Sequence, residues 1–245
     1  MRLNVMALYI DERELVIEIL SSLKRFFKFK ELETILGISI PTLWRYIHGD
    51  IKPSQDRSRQ MIMKLLDSNM IDVIKEKVIK TDEEGLINVY TLAYNLDILT
   101  IASIDAMLWA QNMGFTSVAT VETDGIPLAT LIAKRLDIKM VVIKRKKEVG
   151  FDKFIEVSYI ARTPPEVVSL YLPEGIVEYG DKVLIVDDLV RSGRTSVALF
   201  ELIRRAGARP AGFYALISIG DTWRDVVERY VGSNYRVLFR VGSFK

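Results

Sequence analysis

The residues best suited to chemistry lie in one short run, Val183 to Thr195, which reads VLIVDDLVRSGRT. Four apolar residues predict a short buried strand, Asp187 and Asp188 follow at its carboxyl end, and Ser192-Gly193-Arg194-Thr195 turns into the next helix. In an open α/β sheet, ligands bind outside the carboxyl ends of the strands. A glycine-containing turn feeding a helix offers backbone N–H groups and the positive helix end to a phosphate. Two carboxylates beside that anion site suit a ribose, whose vicinal hydroxyls are donors, or a Mg²⁺ ion, which prefers oxygen ligands. The combination describes a site for a ribose 5-phosphate.

A lone acidic pair after a strand is ordinary turn punctuation; the whole run is not. It resembles the phosphoribosyl-pyrophosphate (PRPP) signature of type I phosphoribosyltransferases. That resemblance implies that Asp187 and Asp188 hold the ribose hydroxyls, and Mg²⁺ directly or through the ligand. It likewise implies that Arg191, Ser192, Gly193, Arg194 and Thr195 wrap the 5-phosphate. The family usually has small residues where Arg191 and Arg194 stand, so these side chains either add charge to phosphate binding or crowd the site. A second stretch, VETDGIPLA over Val121–Ala129, again sets polar residues and a glycine between a strand and a helix. The resemblance makes Glu122, Thr123, Asp124 and Gly125 a pyrophosphate loop. The two extra carboxylates there repel a bare pyrophosphate unless Mg²⁺ mediates. The run Lys144-Arg145-Lys146-Lys147 follows the next strand. Four cations in a row are commonly a solvated loop; the family places a basic residue here, which makes Lys144 and Arg145 the preferred pyrophosphate contacts.

The elements that position these residues are those of an α/β domain. From Gly85 onward, strand-like runs at Ser117–Val121, Lys139–Ile143, Val183–Val186 and Gly212–Ile217 alternate with helical stretches at Asp97–Asn112, Pro127–Leu136 and Thr195–Ala206. Such alternation predicts a parallel sheet flanked by helices. An inserted pair, Phe154–Ala161 and Glu166–Leu172, is joined by Thr163-Pro164-Pro165 and reads as a flap hairpin. A helix around Thr222–Tyr230 and a strand around Arg236–Val241 are expected to form a hood over a base, where Trp223 or Phe244 either stacks on a purine or packs in the core. Across residues 85–220 the chain is similar to the phosphoribosyltransferase-type domain of purine-operon repressors and archaeal regulators, and secondarily to xanthine phosphoribosyltransferases.

The first 80 residues hold helix signals and no convincing strand. Helices are expected over Asp11–Phe27, over Phe29–Leu36 up to Gly37, from a Ser39 cap with Pro41 in the first turn to Gly49, and from Pro53-Ser54 towards Ile79. The two short middle helices have helix-turn-helix spacing, and LETILGISIPTLWRYIHGDIKPS resembles the Cro/repressor type, with Glu33 where alanine is usual. In that motif the second helix enters the DNA major groove. The expected DNA-facing residues are Ser39, Pro41, Thr42, Trp44, Arg45, His48 and Lys52, with Arg45 suited to a guanine edge. Nine cations against four carboxylates between residues 21 and 64 give a local charge of +5. The competing reading is a helical dimerisation or lid domain with an accidental glycine turn.

Bulk composition narrows the rest. A chain of 245 residues, 49% apolar and 27% charged, holds one large or two ordinary domains with a real core. No cysteine and one histidine exclude disulfides, thiolate or histidine-based zinc sites and histidine acid–base chemistry, and nothing suggests haem or flavin. No uncharged run reaches membrane-spanning length and no signal peptide is visible, which implies a cytoplasmic protein with no membrane partner. The expected organisation is a helix-turn-helix domain over 1–80 and a type I phosphoribosyltransferase fold over 81–245. The function expected first is a homodimeric transcriptional regulator that binds a double-stranded DNA operator. It would sense PRPP with Mg²⁺, a nucleotide or a phosphorylated sugar. The alternative is an active purine phosphoribosyltransferase with a helical appendage.

Overall fold

The computed structural model describes residues 11–80, 87–162 and 165–242. The chain divides into two compact units, 1–79 and 80–245.

The first unit is helical: α1 (Glu12–Leu23), α2 (Phe29–Leu36), α3 (Ile40–Ile47), α4 (Gln55–Leu65) and α5 (Ser68–Val78). Leu15, Ile19, Leu20 and Leu23 fall on one side of α1 and are buried with Leu32, Leu43, Met61 and Leu65. Asp11 caps α1 by accepting from the Arg13 N–H. The turn between α2 and α3 rests on Gly37, left-handed at φ +68. Two expectations are corrected here. Helix α1 stops at Leu23, and Phe27 folds inward beyond it as a buried residue. The long fourth helix is two helices, because the Asp67 carboxylate accepts from Met70 N–H at 2.7 Å and starts α5 afresh. Ser39 stands at the N-cap of α3 without capping it; Glu33 instead accepts from the Ile40 N–H at 3.1 Å. The departure from alanine at Glu33 thus supplies the cap that Ser39 does not.

The second unit runs α6 (Val89–Ala93), α7 (Leu96–Ala110), β1 (Ser117–Val121), α8 (Ile126–Leu136), β2 (Lys139–Ile143), β3 (Phe154–Arg162), β4 (Pro165–Pro173), β5 (Lys182–Val190), α9 (Arg194–Arg205), β6 (Arg209–Ile219), α10 (Arg224–Val231) and β7 (Tyr235–Val241). Five strands form one sheet in the order β2-β1-β5-β6-β7. Every pairing is parallel. Strands β3 and β4 form a separate antiparallel hairpin, pairing from Phe154–Pro173 out to Arg162–Pro165. Strand β1 is buried throughout and β5 nearly so, as a sheet covered on both faces requires. The core between sheet and helices is aromatic at its centre, with Phe200, Phe213 and Trp223 fully buried.

The carboxyl half of this unit differs from expectation in two ways. The β5 ladder continues to Val190, with Asp187 opposite Ala215 on β6, so both acids lie inside the strand rather than after it. Strand β7 pairs with β6 as the sheet's outer member and does not form a hood. Trp223 is buried with its indole N–H donated to the Gly220 carbonyl at 2.9 Å and its ring edge-on to Tyr235, so it packs the core and is not available to a purine. Phe244 lies outside the described residues. On the α7 side, buried Asp105 accepts from Arg236 at 2.7 and 2.5 Å and from the Tyr214 hydroxyl at 3.1 Å, which joins α7 to β6 and β7.

Candidate functional site

The strand order places the site. From β1 the chain crosses outward to β2, whereas from β5 it crosses the other way to β6 and β7. The carboxyl ends of β1 and β5 therefore flank the topological switch point, the crevice where open α/β sheets bind ligands. The loop after β1 is residues 122–125 and the loop after β5 is residues 191–193, so the two stretches singled out in the sequence meet there.

Asp187 is 5% exposed and accepts the Asp188 N–H at 3.1 Å. Burial pushes its carboxyl well above the usual range, and the neighbouring Asp188 charge adds to the effect. Burial likewise raises Asp188, with the charge of Asp124 contributing from the β1 loop. Asp124 in turn accepts the Tyr94 hydroxyl at 2.7 Å. The acid pair at the end of β5 thus feels a third carboxylate charge from the β1 loop. Such a cluster favours a ligand that brings hydroxyl donors or positive charge.

Close packing holds the β1 loop against β5. A Cβ on Gly125 would stand 2.5 Å from Thr120 Oγ1 and 3.7 Å from the Asp187 Cα, so only glycine fits. The Glu122–Thr123 peptide is cis. Glu122 does not face a ligand alone: its carboxylate accepts the Arg145 N–H at 2.7 Å and ties this loop to the basic run. Within that run, Lys144 is ion-paired with Glu148, and Lys147 sits 5.5 Å from the Tyr171 ring centroid. The clamp expected of Lys144 is therefore already neutralised, while Arg145 forms no ion pair among the described residues.

The β5 loop makes a cradle of about 200 Å³ lined by Asp187, Leu189, Val190, Arg191, Ser192, Gly193, Arg194, Thr195 and Ser196. Gly193 is left-handed at φ +72, and a Cβ there would come within 3.2 Å of Val226 on α10. The Thr222 hydroxyl donates to the Arg191 carbonyl at 2.9 Å and fastens the loop from the same side. Helix α9 opens at Arg194, so its free N–H groups face the cradle. Ser196, absent from the residues singled out by sequence, is 1% exposed, and its hydroxyl has no hydrogen-bond partner among the described residues. A buried hydroxyl without a partner in a cavity at a helix N-terminus marks a place for a polar ligand. The arginines do not crowd that place. Arg194 donates to the Ile160 carbonyl on β3 at 2.9 Å, and Arg191 is exposed. Thr195 is bonded to the Tyr159 hydroxyl at 3.1 Å. No sequence spacing pointed to Tyr94, Tyr159 or Ser196; only the fold brings them to the crevice.

In the helical unit, Pro41, Trp44, Arg45 and His48 form an exposed face of α3, with Thr42 half-buried. The His48 ring stacks on Trp44 with centroids 4.0 Å apart, and its Nδ1 donates to the Trp44 carbonyl at 2.8 Å. The Ser39 and Thr42 hydroxyls bond each other at 3.0 Å. Lys52 does not join this face freely, because its ammonium pairs with Glu14 on α1.

Comparison with known proteins agrees with the geometry of the second unit. Residues 99–236 match the phosphoribosyl transferase domain family. The chain is 36% identical over 124 residues to a hypoxanthine/guanine phosphoribosyltransferase of Methanocaldococcus infernus, a match covering 51% of this chain and 64% of that protein. A xanthine phosphoribosyltransferase of Streptococcus uberis is 29% identical over 188 residues, 75% of this chain and 94% of that one. Among solved structures, an adenine phosphoribosyltransferase from Rhodothermus marinus superposes with a TM-score of 0.62 at 21% identity, covering 71% of this chain and all of that one, a likeness of fold. With more than half of its residues matched to one family, and the acid pair and glycine turn at the switch point of its sheet, the chain belongs to the phosphoribosyl transferase domain family.

Proposed function

We propose that the chain is a purine phosphoribosyltransferase that joins a purine base to the ribose 5-phosphate of PRPP. This reverses the preference for a regulator drawn from the sequence. The reading rests on one observation above all: a buried Ser196 hydroxyl, without a partner among the described residues, lines a glycine cradle whose other wall carries Asp187. In this reading the cradle's N–H groups and hydroxyls hold the 5-phosphate, and Asp187 and Asp188 accept from the ribose hydroxyls. A base nitrogen forms its bond to the anomeric carbon as the bond to the pyrophosphate oxygen breaks. Positioning and charge stabilisation suffice, with no protein nucleophile. Among the described residues no three histidine, cysteine, aspartate or glutamate side chains gather as a metal site. Mg²⁺ therefore fits as a partner of the ligand's own oxygens, where it would offset the repulsion between pyrophosphate and Glu122 and Asp124. The relatives named for hypoxanthine/guanine and xanthine define the bases to try. Mixing the full chain with Mg²⁺–PRPP and hypoxanthine, guanine, xanthine or adenine should yield a nucleoside monophosphate from at least one. Absence of product with all four contradicts the reading.

One observation favours a second role for the helical unit. The left-handed Gly37 joins α2 to α3 with an exposed face bearing Arg45, the arrangement of a helix-turn-helix. A groove of about 660 Å³ on the same unit carries Lys24, Arg25, Lys28 and Lys30, with Lys77 there paired to Glu31. We propose that this unit binds double-stranded DNA, as a homodimer on a palindromic site, with PRPP or a nucleotide as effector. Lys52 is withdrawn from its contact set because Glu14 holds it.

A further inference from the structure

Three polar contacts run along one side of the β3–β4 hairpin. Arg205 on α9 donates to the Glu156 carbonyl at 2.8 Å. Further out, the Tyr159 hydroxyl bonds Thr195 Oγ1 at 3.1 Å, and Arg194 donates to the Ile160 carbonyl at 2.9 Å. The hairpin therefore lies along α9, and its outer half is fastened to the two residues that open that helix and line the phosphate cradle. Tyr159 and Val168 pack against the core as one outer cross-strand pair, whereas the next pair outward, Ile160–Val167, is 60% and 69% exposed and gains little from hydrophobic burial. The base of the hairpin is secured separately, by the bridge between Lys144 and Tyr171 and by buried Val157, Leu170 and Leu172.

The chemistry of the two cradle residues lets them serve both sides at once. A threonine hydroxyl accepts through a lone pair while donating its own proton, so Thr195 can take the Tyr159 O–H and still donate to an anion. An arginine has five N–H donors, of which Arg194 commits one to Ile160. Its fork leaves the others for a phosphate oxygen. An anion in the cradle orients both groups, and oriented groups grip the hairpin better; the hairpin, once docked, holds both groups ready for the anion. Coupling of this kind is reciprocal by thermodynamic necessity.

We infer that Arg194, Thr195 and Tyr159 form a latch through which a ribose 5-phosphate in the cradle and the docked hairpin stabilise each other. Arg194 and Tyr159 are then positioning residues: Tyr159 acts on the ligand only through Thr195. The inference rests on reading the cradle as a phosphate site, and its test separates the two.

Amide hydrogen exchange of residues 154–173 is measured on the full chain, with and without saturating ribose 5-phosphate, and affinity is read by calorimetry. In the wild type the ligand should slow exchange in the outer half of the hairpin. Tyr159→Phe, which keeps the ring and removes one hydroxyl, should speed exchange in the free protein. It should also shrink the ligand-induced protection and weaken ribose 5-phosphate by about threefold to tenfold, the range of one hydrogen bond. Arg194→Lys should restore part of what Arg194→Ala loses, since the charge returns without the fork. A merely structural loosening would raise exchange equally in free and bound states and leave affinity alone, which overturns the latch. Binding without any hairpin protection in the wild type overturns the coupling by itself. Failure of ribose 5-phosphate to bind overturns the phosphate-site reading and the coupling with it.

Discussion

A carboxyl group buried at the end of a strand, with a second one beside it, gains little from the fold that holds it. Asp187 is in that position: burial and the Asp188 charge push its carboxyl above the ordinary range. Folded Asp187 keeps its proton to a higher pH than the unfolded chain does, so its contribution to stability is complete below the ordinary carboxylate value and is lost as pH rises through the raised one. Asp187→Asn keeps an acceptor for the Asp188 N–H and removes the charge. At neutral pH the ligand-free variant should be more stable than the wild type, because the buried charge is gone. Thermal unfolding across pH 5 to 8 checks this, since the gain should shrink toward acid. A ribose bound to the pair should show the reverse trend, weakening as pH falls and protons reclaim the acceptors.

Helices and strands follow local rules that single residues can test. Asp67 restarts the helical path at α5 by accepting from Met70 N–H, so Asp67→Ala should cost about 1 kcal/mol in denaturant unfolding of the helical unit. An unchanged midpoint would mean the break between α4 and α5 has another origin. That break was not legible beforehand, because apolar spacing persists across Asp67-Ser68 and conceals the cap. Strands β1, β2, β5 and β6 were legible, since buried parallel strands are near-continuous apolar runs. The extent of β5 was not: acidic residues signal a loop, yet Asp187 stays in the ladder opposite Ala215. The acid pair and the glycine turn could be read because their chemistry is local. Tyr159 and Ser196 could not, because a bond from Tyr159 to Thr195 joins residues that only the docked hairpin brings together. Glu33 shows the same limit, as an apparent mismatch in a helix-turn-helix pattern whose carboxylate caps the second helix.

At the scale of the whole molecule, a family match over residues 99–236 accounts for the second unit and leaves the helical one to its own chemistry. If α3 reads DNA, Arg45→Ala should abolish retardation of a palindromic fragment in gel assays and leave ribose 5-phosphate affinity intact, because Arg45 lies outside the second unit. Equal retardation by wild type and variant would remove Arg45 from any such role. The account as a whole depends on the crevice at the switch point being a ribose-phosphate site. Calorimetric titration of the full chain with ribose 5-phosphate, in the wild type and in Asp187→Asn paired with Asp188→Asn, tests that most directly. The account predicts saturable one-to-one binding by the wild type and at least a tenfold loss in the double variant. No heat of binding in the wild type, or equal affinity in both proteins, would contradict it.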